Sequence, residues 1–189
     1  MFRLGYDLAF NRRIKRWNDI FSLWYVAAHH GHVRSQYYLG TCYDNGYGVK
    51  KSIIEAFNWY LKATKQGHME SQYNIGFFYR VGEVVKQDYK KAVHWLTLAA
   101  KQGDTEAQRD LGVCFIYGNG VKVDYKKATY WYKKAASKND SKALYNLGLC
   151  YKLGDGVGKS NRWARYYFDK ARSLGHKNAK MQLKDLDRT

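Results

Sequence analysis

Small and apolar residues return along the chain at steps of three and four, in two runs separated by glycines. In residues 107–139 the first run is Ala107, Leu111, Gly112 and Phe115, and the second is Ala128, Trp131, Ala135 and Ala136. That spacing places each run on one face of a helix. Gly118-Asn119-Gly120-Val121 interrupts the pattern, and Asp124 offers a side chain suited to start the second helix. The pattern predicts two antiparallel helices joined by a glycine loop.

The pair then repeats. Gly40, Gly76, Gly112 and Gly148 lie 36 residues apart, and so do Ala56, Ala92, Ala128 and Ala164. Trp59, Trp95 and Trp131 keep the same step, with Tyr167 in the fourth place. A fixed period of this size specifies a repeat array in which each pair packs on its neighbours. The predicted fold is all-α, with full repeats at 33–68, 69–104, 105–140 and 141–176. A degenerate repeat occupies 1–32, with a short partner helix within residues 2–12, and a capping half-repeat occupies 177–189. One array over 1–189 is expected. Gly40 and its equivalents sit inside the leading helices, where glycine costs about 1 kcal/mol relative to alanine, so another helix is expected to approach the backbone there. Val84 replaces the second loop glycine in one copy, and that loop is expected to bend differently.

Leu-Gly followed three residues later by an aromatic, then Gly-x-Gly-Val, an acidic or serine cap, Ala-x-x-Trp and Ala-Ala before a glycine, resembles the Sel1-like repeat (SLR), a relative of the tetratricopeptide repeat. The resemblance covers about residues 17 to 186. It implies a right-handed superhelix with leading helices on the concave side and second helices on the convex side. It also implies an adaptor or scaffold rather than an enzyme. Known roles in the family include membrane-protein quality control, regulation of cell-wall synthesis, and bacterial interactions with hosts or rival cells. One concrete version in a bacterium is an immunity or effector-associated protein.

Composition refines this. Proline is absent and the glycines are regularly placed, so no linker divides the chain. Met1–Asp7 makes a poor secretory signal, and no apolar run approaches membrane-spanning length. Cys42, Cys114 and Cys150 share one repeat position, where the second copy has Phe78, so they read as buried thiols. Together these point to the cytoplasm. His32, His68 and His176 share a turn position and are displaced along the array, which argues against a metal site; His29 and His30 beside His32 form the one dense histidine cluster. No metal and no cofactor are expected. The net charge of +17 points to acidic proteins, nucleic acid or anionic membrane surfaces as partners.

Outward positions of the leading helices form rows. One row is Tyr37, Tyr73, Arg109 and Tyr145, where packing between repeats competes with ligand contact as the explanation. Others hold Phe77, Val113 and Leu149; Arg80, Ile116 and Lys152; and Val81, Tyr117 and Leu153. An exposed apolar strip rimmed by arginine and lysine is how a partner site looks. The expected partner-binding set is therefore Tyr37, Tyr73, Phe77, Arg80, Arg109, Ile116, Tyr117, Tyr145 and Lys152. The expected occupant is a protein or peptide, acidic in character, bound to a monomer or weak dimer. A basic solenoid that binds nucleic acid is the alternative. The lysine pairs Lys90-Lys91, Lys126-Lys127 and Lys133-Lys134 on second helices read as a solvated face. No phosphate loop, nucleophile elbow or paired metal-ligand motif is present, and no catalytic residue is expected.

Overall fold

The structure, a computed structural model, describes residues 1–11 and 16–188. The expected repeat at 1–32, the partner helix within residues 2–12 and the half-repeat at 177–189 therefore fall partly outside the described residues. Among these the chain forms eleven α-helices and no strand: α1 (Phe2–Tyr6), which continues as a π-helical turn over Asp7–Asn11, α2 (Trp17–His29), α3 (Val33–Asn45), α4 (Ile53–Thr64), α5 (Met69–Val81), α6 (Tyr89–Gln102), α7 (Thr105–Tyr117), α8 (Tyr125–Ala136), α9 (Ser141–Leu153), α10 (Asn161–Ser173) and α11 (Ala179–Leu186). Leading helices alternate with second helices as the 36-residue period requires.

The boundaries follow from capping. Ser52, Asp124 and Ser160 accept hydrogen bonds from the backbone N–H of Glu55, Lys127 and Trp163, which satisfies one of the orphan donors of each second helix. Leading helices end on Gly46, Gly82, Gly118 and Gly154, all left-handed. The second loop glycine has two reasons to be glycine. Gly120 has a φ of +75°, and a Cβ there would overlap the backbone at Tyr89; Gly48 and Gly156 stand in the same relation to Trp17 and Tyr125. Val84 has no such conformation, since Asn139 is the sole non-glycine with positive φ among the described residues. The loop with Val84 therefore bends differently, as expected.

The chain divides into two compact units, Met1–Asp88 and Tyr89–Thr189. In the first, Ile20, Trp24 and Cys42 form one buried slice, and Ala28, Leu39 and Trp59 another. In the second, Tyr132, Leu144, Leu147, Phe168, Leu183 and Leu186 belong to one buried cluster. Each fully buried leucine or phenylalanine contributes about 1.5–3 kcal/mol by leaving water.

The helical glycines explain themselves here. A Cβ on Gly40 would strike the ring of Tyr60, one on Gly112 the ring of Tyr132, and one on Gly148 the ring of Phe168. Each ring comes from the second helix of the same pair and presses against the leading helix where no Cβ intervenes. Burial raises the phenol pKa of Tyr60 and Tyr132 above the ordinary value. Between pairs, the buried amides of Gln36 and Gln108 donate to the carbonyls of Ala28 and Ala100 at 3.3 and 3.0 Å. These bonds give a second donor to carbonyls near the ends of α2 and α6, which also accept from the backbone N–H of Gly31 and Gly103.

Candidate partner-binding faces

The turn before each leading helix sets up the outward row that the sequence singles out. The His32 ring nitrogen accepts the Ser35 N–H at 3.2 Å, and the carboxylates of Asp104 and Asp140 accept from Ala107 and Ala143 at 2.7 Å each. The turn residue is thus a side-chain cap at 32, 104 and 140, though not at 68. It also has a second job, 31 positions after the outward residue of the previous leading helix. Tyr37 stacks on His68 with centroids 4.7 Å apart, and Tyr145 stacks on His176 at 4.2 Å.

Arg109 completes the series by different chemistry. Its guanidinium donates to Asp140 at 2.9 Å and to Asp110 at 3.1 Å, and its side chain is only 12% exposed. An arginine–aspartate pair occupies the place that a tyrosine–histidine stack holds at 145 and 176. Arg109 was expected to mark a partner site because it departs from the tyrosine row. Its departure is matched by that of Asp140 from histidine, and the two residues join consecutive repeats. Burial lowers the pKa of His68 and His176, so both rings favour the neutral form.

Other expected residues are also held within the fold. Lys152 donates to Gln182 at 2.8 Å and lies 3.9 Å from Asp185 on α11. Arg80 extends over the Phe77 ring, 5.1 Å from its centroid. In the first unit Tyr73 and Phe77 line a cleft of about 330 Å³ with Asp44, Lys51, Asn74 and Glu83. Its rim is mixed in charge.

In the second unit the outward rows of α7 and α9 produce a different surface. Ile116 and Tyr117 join Val113, Leu149 and Leu153 around a cleft of about 170 Å³. Tyr117 is 71% exposed and Leu153 is 63% exposed. Two large side chains left this open beside half-buried aliphatic neighbours form an apolar patch of the kind that other proteins cover. Val113, Leu149 and Leu153 stand in the same outward rows as Phe77 and Tyr117, and that shared register is the sequence signal that assigns them here.

Cys42 and Cys150 are buried, and burial pushes both thiols up to about 12. Among the described residues no three histidine, cysteine or acidic side chains stand together as metal ligands, and no helix is long and apolar enough to cross a membrane.

Capped helix pairs and glycine–ring contacts returning at a 36-residue step define a helical repeat protein. The Sel1 repeat pattern matches residues 33–68, 70–104, 105–140 and 141–176, and the chain belongs to the Sel1 repeat family. Sel1 repeat proteins are generally protein-interaction scaffolds and typically non-catalytic. A Sel1 repeat protein from Oxalobacter formigenes is similar, at 30% identity and a TM-score of 0.87, over 96% of this chain and 73% of that one. A protective antigen of uropathogenic Escherichia coli with the SLR fold is 31% identical, with a TM-score of 0.91, over 98% of this chain and 40% of its own length. The chain thus spans less than half of that antigen. An immunity protein from Pseudomonas aeruginosa aligns at 26% identity and a TM-score of 0.57, over 94% of this chain and 66% of its own. No curated protein is matched.

Proposed function

We propose that the chain is a non-catalytic scaffold whose second unit docks a protein partner on the leading-helix face of α7 and α9. The observation that carries this reading is the open apolar patch of Tyr117 and Leu153 around the cleft that Ile116 also lines. Such a patch gains about 25 cal/mol per Å² of apolar surface when covered, and exposed aromatic anchors are typical centres of binding energy. The net charge of +17 supports an acidic partner, which the field of the chain would steer toward it. The unbroken 36-residue period supports treating residues 1–189 as one repeat array. An immunity role, as in the Pseudomonas neighbour, is one version of this reading.

The test is affinity capture from the source cell's lysate, with and without nuclease, comparing the wild type with Tyr117→Ala/Leu153→Ala. A nuclease-resistant protein partner that the variant loses is the expected result. A partner that binds both chains equally would remove the patch from the account.

A further inference from the structure

We propose that the outer face of α6, α8 and α10 binds single-stranded nucleic acid, one cation and one ring per repeat. This surface is distinct from the leading-helix patch. The three helices carry eleven lysines and arginines and a single acidic residue, Asp169. Charge alone would suit any polyanion; the order of the side chains narrows the choice.

Lys90, Lys126 and Arg162 occupy one repeat position, and His94, Tyr130 and Tyr166 occupy the position four residues later. A four-residue step puts each cation and its ring on the same face, one helical turn apart. All six are exposed, with Tyr130 at 52% and Tyr166 at 51%. The equivalent positions in the first unit are Asn18 and Ile54, then Ser22 and Asn58, so packing does not demand the ladder.

The helices are also tied side by side. The loop at Gly120 lies against the start of α6, the loop at Gly156 lies against the start of α8, and Lys138 donates to the carbonyl of Gly103 beyond the end of α6. Trp131 meets Tyr130 edge-on at 78°, and Trp163 meets Tyr166 at 86°, which buttresses the exposed rings. Two parallel rows, one of cations and one of rings, match a polymer that presents phosphates along one edge and unpaired bases along the other. A duplex hides its base faces, and a fluid lipid leaflet has no fixed order that such a register would serve.

The experiment is fluorescence anisotropy of a labelled oligouridine of about twelve nucleotides with the full chain, between roughly 50 and 200 mM salt. Tyr130→Ala/Tyr166→Ala is expected to weaken binding about tenfold or more with an unchanged salt slope, because stacking is lost and phosphate contacts remain. Lys90→Gln/Lys126→Gln/Arg162→Gln is expected to reduce the slope of log affinity against log salt by about 2, at about 0.7 per phosphate contact. Tyr117→Ala/Leu153→Ala is expected to bind like the wild type, which separates this inference from the proposed protein-docking patch. Circular dichroism of each variant reports its fold. No binding at the lowest salt overturns the proposal. So does duplex binding as tight as single-strand binding, or no effect of the ring variant. Binding to phosphatidylglycerol vesicles through the same lysines, without competition by the oligonucleotide, assigns the face to lipid instead.

Discussion

The second helices of the two units follow one packing plan and present surfaces of different charge, one nearly neutral and one strongly basic. In the first unit, α2 and α4 carry one lysine, Lys62, against Asp19 and Glu55. In the second, α6, α8 and α10 carry eleven cations against Asp169. Of the net +17, residues 89–189 hold +12, with 21 lysines and arginines against nine acidic residues. Inward positions tell the contrary story, since Gly40 faces Tyr60 as Gly112 faces Tyr132. The inward half of each helix is set by its neighbour and therefore repeats. The outward half is free of that constraint, so a concentration of one charge there has to be explained by solubility or by a partner.

The largest expected effects fall on what the units share. Phe168→Ala in the second unit and Tyr60→Ala in the first should each cost about 3–5 kcal/mol, read from urea unfolding, because each leaves a cavity against a bare glycine backbone. Equal losses would establish that both units use the same contact. A loss below about 1 kcal/mol at either would break the comparison.

Next comes the pair that differs. Arg109→Ala should cost about 2 kcal/mol, since Asp140 and Asp110 lose their charged partner in a half-buried setting. The double change Arg109→Tyr/Asp140→His should recover most of that loss by rebuilding the stack seen at Tyr145 and His176, with the new histidine capping α9 as His32 caps α3. A double variant no better than the single would show that the two pairings are not interchangeable.

Helix order, caps and glycine contacts were legible in the sequence because each is dictated by local chemistry at a fixed period. Ser52, Asp124 and Ser160 had to cap, and Gly40 and Gly112 had to face something large. The outward row was less legible. Arg109 stood out as an odd residue in a tyrosine row, and its meaning lay 31 positions away in Asp140, a contact between repeats that no within-helix spacing reveals. Tyr37 and Tyr145 likewise needed His68 and His176 beside them before their packing role was visible. The lysines of α8 read as a solvated face because one helix viewed alone looks that way; the ladder emerges when the rows are compared between units.

Smaller effects sharpen the same contrast. His68 and His176 have pKa values lowered by burial, so their contribution to stability is whole above the ordinary value of 6.5 and is lost as pH falls through the lower folded values. The melting temperature should drop as pH is taken from about 7 to 5, and His176→Asn should flatten part of that drop. A pH profile unchanged by this variant would show that His176 takes up its proton at the same pH in the folded and the unfolded chain. Smallest of all, Cys42 and Cys150 should resist a thiol reagent at pH 8 in the folded chain and react on unfolding, because burial pushes both up to about 12. Rapid labelling of the folded chain would mean that the buried slices open readily.

The central claim is that the second unit's leading-helix face holds a protein partner, and photo-crosslinking in the source cell tests it most directly. A photoreactive phenylalanine placed at Tyr117 is compared with one at Asn58, on the nearly neutral second helix of the first unit. The account predicts a discrete protein adduct from position 117 that Leu153→Ala abolishes, and none from position 58. Adducts of equal yield at both positions, or none at position 117, would contradict it.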